Sequence, residues 1–238
     1  MRIASALCVV AVAAFCFGLL VMGQEEMPMA MEEEGLGAGG PMPGWIMLDL
    51  SGLSTVLEAH GYAPFPTEGM FTMGGGGWGG LLKSWRFGGF GTGGETSSSV
   101  GNKAAVLSLG FGGFFLGYGL FSDEAYDVMV GTLIGGGGAE LSLLDHRSES
   151  FDTAISNPPN TVLKRSFFTL EPQVSVAFTV LKWLSLRISG GYLVTFGGNW
   201  DQSGKELVGP PANFNAWMVQ VMVSFGGKGD EEEQKETE

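Results

Sequence analysis

The sequence predicts an all-β protein, an eight-stranded antiparallel up-and-down barrel built to span a membrane, with one short helix in its first long loop. Three observations predict it. Apolar and small polar residues alternate over long stretches, most cleanly in LEPQVSVAFTVLKWLSLRISGGYLVTF (170–196). Only 16% of residues are charged, against roughly 25% in typical soluble domains. The connections between strand-like runs alternate in length, as in barrels with tight turns at one end and long loops at the other.

Taken in order, residues 1–23 (MRIASALCVVAVAAFCFGLLVMG) carry one basic residue, Arg2, before an apolar run. They read as a secretory signal peptide cut after Gly23; an uncleaved membrane anchor is the alternative. Cys16 is followed by more apolar residues, which argues against a lipid-attachment cysteine. Cys8 and Cys16 are the only cysteines, so a chain cut after Gly23 has no disulfide, thiolate metal site or cysteine nucleophile. Residues 24–43 read as a disordered, acidic lead-in rich in Met, Gly and Pro. Met27, Met29 and Met31 are of the soft type that copper(I) takes, but no His or Cys accompanies them.

The barrel domain is expected over 44–225. GWIMLDL (44–50) is its first strand. Leu50, Leu53, Leu57 and His60 then fall at helical spacing, with Ser51 or Ser54 as cap and Gly61 as stop. Further strands are expected near 70–80, 84–92, 104–120, 128–143, 166–180, 184–196 and 214–225. The connections 81–83, 121–127 and 181–183 are short; 51–69, 93–103, 144–165 and 197–213 are long. Residues 226–238 form an acidic, disordered tail. The 41 glycines cluster beside bulky apolar residues, as in GGGGWGG (74–80) and GFGGFFLGYG (110–119), which points to tight curvature or close backbone approach.

The faces favour a membrane barrel over a soluble sheet. Val174, Val176, Phe178 and Val180 share one side; Gln173, Ser175, Ala177 and Thr179 share the other. After the turn, Leu184, Leu186, Ile188, Tyr192, Val194 and Phe196 oppose Ser185, Arg187, Ser189, Gly191 and Thr195. A water-facing side would carry Lys, Glu and Thr; this one is small and almost uncharged, as in a narrow barrel interior. Arg187 is the exception: it should point inward and need a partner. Trp183, Trp200, Trp217 and Phe225 fit an aromatic belt at the membrane interface, with Trp45, Trp78 and Trp85 as further candidates. In strand 104–120 both faces are apolar, which fits either a strand covered on both sides, the short helix packing inside the barrel or capping its mouth, or simply a tightly curved sheet. The alternative reading is a soluble or surface-attached, Gly-rich, self-associating β-sandwich with core aromatics.

The last strand, NAWMVQVMVSF (215–225), alternates Trp217, Val219, Val221, Val223 and Phe225 with Met218, Gln220, Met222 and Ser224. An amphipathic final strand ending in Phe resembles the C-terminal signal of bacterial outer-membrane β-barrel proteins of the small, eight-stranded type. EPQVSVAFTVLKWLSLRISGGY (171–192) is similar to their strand–turn–Trp–strand hairpins. The resemblance covers the last third of the chain. It departs where 13 residues (226–238) follow Phe225. It implies a lipid bilayer and the outer-membrane assembly machinery as partners, and export to the outer membrane.

Little else points to chemistry. With a net charge of −13, nucleic acid is excluded as a partner, because phosphate binding needs a basic surface. The GxGxxG spacings at Gly35, Gly37, Gly40 and at Gly89, Gly91, Gly94 lack the strand–helix context of a dinucleotide site. His60 and His146 are the only histidines, which excludes a multi-histidine metal site, and no cofactor is expected. In LLDHRSES (143–150), His146 and Ser148 lie two apart with Glu149 or Asp145 near enough to orient the imidazole. This resembles outer-membrane lipid A deacylases, also eight-stranded barrels, and would imply a lipid-modifying hydrolase; an exposed polar loop accounts for it as well. An eight-stranded interior is filled by side chains, so the expected role is structural, adhesive or small-ligand binding rather than open-porin transport.

Overall fold

The computed structural model describes residues 36–82, 84–123, 125–145, 160–209 and 214–227. In chain order these form β1 (Leu36–Leu48), α1 (Ser51–Ala59), β2 (Met70–Leu82), β3 (Trp85–Val100), β4 (Lys103–Ser122), β5 (Tyr126–Asp145), β6 (Asn160–Leu181), β7 (Leu184–Phe196), β8 (Trp200–Gln202), β9 (Lys205–Leu207) and β10 (Ala216–Gly227). All neighbours pair antiparallel in the order β5-β4-β3-β2-β1-β10-β7-β6, and a β5–β6 ladder closes the ring. The result is a closed eight-stranded barrel; β8 and β9 make a small hairpin hung on β6 at Lys164. A β-sandwich does not form, because closure pairs both of the edges that an open sheet would leave.

The first strand starts at Leu36, eight residues before Gly44, where the lead-in was expected to end. Gly, Pro and Met there read locally as loop, yet Gly37–Pro43 pair in register with the equally glycine-rich β2. Pro41 and Pro43 leave their mark on the other side. The β1–β10 ladder runs through Gly37, Ala38 and Gly39, stops, and resumes at Gly44, because proline has no N–H to donate. At the far end β10 runs through Phe225 to Gly227, just past the expected boundary.

The expected long connection at 93–103 is instead a tight turn at Gly101-Asn102, with Gly101 at φ +56°. GGETSSSV (93–100) looks like loop because it is polar. It is strand because β3–β6 are long, at 16, 20, 20 and 22 residues, and rise past the ring. The β2–β3 ladder ends at Thr72–Gly94, so Glu95–Val100 pair with β4 alone. The other long connections, at 49–69, 146–159 and 197–215, open at this same end, called the loop end below. The turns after β2, β4 and β6 lie at the opposite, turn end.

Helix α1 takes its place at the loop end. Its buried Leu53 and Leu57 join the core cluster, as expected for one amphipathic face. Its N-terminus is not capped by Ser51 or Ser54. Asp49 accepts hydrogen bonds from the Ser51 hydroxyl (2.6 Å) and N–H (3.2 Å), and Ser54 accepts one from the N–H of Phe65 (3.2 Å). Gly61 ends the helical stretch at φ +77°, a conformation glycine adopts freely.

Candidate functional site

The inner wall has two characters. On β6, β7 and β10 the buried inward side chains include the polar Thr169, Glu171, Gln173, Ser175, Arg187, Ser189, Thr195, Gln220 and Ser224, interleaved with Phe167, Leu193, Met218 and Met222. On β3, β4 and β5 they are mostly apolar, Phe90, Leu107, Leu109, Phe111, Phe115, Met129, Leu133 and Leu141, with Arg86 and Thr92 among them. The apolar inner face of β4 is thus interior packing, while its outer face, with Phe114 exposed, lies on the barrel's outside. Trp78, a candidate for the interface, is instead buried inside, because residues 70, 72 and 78 share the inward parity of β2.

Arg187 points inward, as expected, and is 3% exposed. Aromatic rings surround it: its guanidinium carbon lies 5.0 Å from the Phe115 ring centre, 5.4 Å from Phe90 and 5.9 Å from Trp78. Phe90 and Phe115 meet edge to face at 5.0 Å. The Arg187 Nη2 lies 3.2 Å from Met129 Sδ. Cation–π contacts of this kind gain strength when water is excluded. Glu171 is 2% exposed on the polar wall; no sequence signal separated it from a water-facing glutamate beyond its strand parity.

Among the described residues, apolar side chains fill the loop end. Leu53, Leu57, Phe65, Trp200, Phe214 and Leu141 belong to one buried cluster. Trp200 packs edge to face on Phe214 at 6.1 Å and is only 5% exposed. It is part of the plug, not of the interface belt where its strand-end position suggested it; the unforeseen β8–β9 hairpin folds it inward. Arg165 donates to the carbonyls of Gly197 and Gly198 (both 3.1 Å), holding that loop down. Lys103 Nζ donates to the His60 carbonyl (2.6 Å) and lies 4.9 Å from the Tyr62 ring centre. Ser98 donates to the Ala63 carbonyl (2.8 Å). Both contacts tie the first loop to the raised β3–β4 hairpin.

The outer wall is apolar. Phe71, Met73, Phe114, Ile134, Val174, Ile188 and Val219 are exposed. Near the turn end Trp183 stacks on Phe225 at 6.3 Å and Trp85 meets Tyr118 at 5.3 Å. Near the loop end Trp217 meets Tyr192 at 4.9 Å. Trp183, Trp217 and Phe225 are more than half exposed. The eight steps from Trp217 to Phe225 span about 26 Å of strand. Above them the outward residues turn polar in one register row, Glu95–Ser108–Glu140–Lys164, tied by Ser108–Glu95 and Lys164–Glu140 contacts of 3.2 Å each. An apolar band between aromatic rows, closed round a filled interior, is a membrane-barrel arrangement. The fold is a closed, eight-stranded antiparallel barrel with an apolar outer wall.

The chain matches no protein-family model and no curated protein. Among solved structures it is similar to the attachment invasion locus protein Ail of Yersinia pestis in complex with the heparin analogue sucrose octasulfate, with 11% identity and a TM-score of 0.45 over 81% of this chain and 99% of that one. A second structure of Ail gives 13% identity and a TM-score of 0.38 over 82% and 100%. The eight-stranded assignment rests on the pairing and faces of the barrel itself.

His146, Ser148 and Glu149 lie outside the described residues, between the end of β5 at Asp145 and the start of β6. Among the described residues no group of three or more His, Cys, Asp or Glu is placed to hold a metal ion.

Proposed function

We propose that this chain is a bacterial outer-membrane protein whose work is done by its loop-end surface, in an adhesive or structural role. The observation that carries the reading is the exposed apolar band around a filled interior. A wall with Phe71, Phe114, Phe168, Val174, Ile188 and Trp217 exposed is stable in lipid and aggregates in water. Two cavities among the described interior residues are each about 10 Å³, far below the roughly 300 Å³ at which ligand pockets begin, which argues against a drug-sized ligand there.

The raised sheet gives the loop end something to bind with. Glu95–Val100 pair with β4 on one side only, and their exposed residues are Glu95, Ser97, Ser99 and Val100. Such an edge can accept an extended segment of another protein or of a second copy. Trp183, Trp217 and Phe225 would sit at the two lipid interfaces, and the β10 strand ending near Phe225 would be read by the assembly machinery.

Fractionation tests the location. Recovery only with detergent, together with heat-modifiable gel migration, is expected; release into buffer as a soluble monomer overturns it. Cell-binding and self-aggregation assays on a Ser97→Pro, Ser99→Pro variant test the role. Loss of either activity with the barrel still heat-modifiable is expected; unchanged binding moves the role away from this edge.

A further inference from the structure

Two small cavities lie side by side inside the barrel. One, about 10 Å³, is lined by Glu171, Thr92, Gln173 and Gln220, with Phe90 and Met42 among its apolar walls. The other, also about 10 Å³, is lined by Arg187, Ser189 and the same Gln173, Gln220, Phe90 and Met42. The pair therefore meets at the two glutamines, with an acid at one end and a base at the other.

We propose that the barrel binds two internal water molecules, one in each cavity, that join Glu171 to Arg187 through the side-chain amides of Gln173 and Gln220. Size fits first: a cavity of about 10–15 Å³ holds a single water. Chemistry fits next. A buried water needs two to four polar partners. The first cavity offers a carboxylate, two amides and a hydroxyl; the second offers a guanidinium, two amides and a hydroxyl. Demand fits as well. Glu171 and Arg187 are almost wholly buried, and no direct ion pair joins them among the described residues. Arg187 Nη1 and Thr92 Oγ1 are buried without a hydrogen-bond partner, a state that is strongly penalised in a dry interior.

The glutamines explain how the acid and the guanidinium are joined without touching. A side-chain amide donates through its NH₂ and accepts through its carbonyl. Turned with the NH₂ groups toward the water on Glu171 and the carbonyls toward the water on Arg187, both amides continue one hydrogen-bonded chain. Register keeps them near each other: Gln220 pairs with Ser189 and Gln173 with Gly191, so the two glutamines flank β7 one inward-facing step apart. The relay is a property of the interior and stands apart from where the loop end binds.

The full chain in detergent micelles tests it without any substitution. Nuclear Overhauser transfer from water to the side-chain NH₂ protons of Gln173 and Gln220 is expected; amides with no water contact overturn the proposal. A second test uses unfolding midpoints of Glu171→Gln, Arg187→Met and the double variant. The double variant should lose less than the sum of the single losses. In a Gln173→Leu, Gln220→Leu background the losses should become additive. Additivity in the parent background, or coupling that survives the leucines unchanged, overturns the relay.

Discussion

Single residues divide by which way strand parity turns them. Glycine illustrates this. At Gly113 a Cβ would run into the Ile134 carbonyl, and at Gly135 into the Gly112 carbonyl, because both face the tightly curved interior. At Gly110, on the outer side, the nearest atom would be 3.8 Å away, an ordinary contact. Gly135→Ala should therefore destabilise by about 1–3 kcal/mol, the usual penalty of overpacking. Gly110→Ala should stay within about 0.5 kcal/mol; denaturant unfolding in micelles measures both. The tryptophans divide similarly. Trp200→Ala should destabilise by about 3–5 kcal/mol, because it opens a cavity in the plug. Trp217→Ala, on the outer wall, should lose well under half of that in the same assay. Asp49 gives a pH signature. The Ser51 hydroxyl, then its N–H, hold this carboxylate below the ordinary range. A carboxylate lowered on folding contributes stability above its unfolded value of about 3.9, and that contribution fades as pH falls through the lower folded value. Hydrogen exchange should show faster opening of residues 51–54 in Asp49→Ala at neutral pH, with the gap from the parent shrinking in acid. Parity made Arg187 legible in the sequence. Trp78 and Trp200 misled because position near a strand end does not tell inside from outside.

Elements were readable where alternation was strong and composition ordinary. The β6–β7 hairpin, with turn and faces, follows from the period of two between Leu170 and Phe196. Segments 36–43 and 93–100 were misread for opposite reasons. The first is too rich in Gly and Pro to show a pattern, and β2 organises it by supplying a ladder. The second is too polar to look half-buried, and it is strand because β4 continues alongside it. Neither partner is visible to local rules. The β8–β9 hairpin was missed because three-residue strands carry no periodicity. The plug should behave as one element. Leu57→Ala should cost about 2–5 kcal/mol and speed proteolysis of both the 49–69 and 197–209 loops. Loosening of the first loop alone would show that the two are not packed as a unit.

At the scale of the whole molecule, the prediction is electrical silence. With water-sized cavities and a filled loop end, the barrel in a planar bilayer should pass no steady ion current; porin-like steps would show that the plug does not hold. By itself the sequence determined the class: a charge-poor body, long alternating runs and a count of eight strands leave a closed antiparallel barrel as the consistent solution, since lipid tolerates no unpaired backbone. The tertiary structure decided what alternation cannot encode. Only closure of the ring could set Arg187 among Phe90, Phe115 and Trp78, line up Glu171 with Gln173 and Gln220, and lift β3–β6 beyond the others. Those arrangements depend on register between strands far apart in the chain, and register is fixed by packing across the barrel rather than by residues adjacent in sequence.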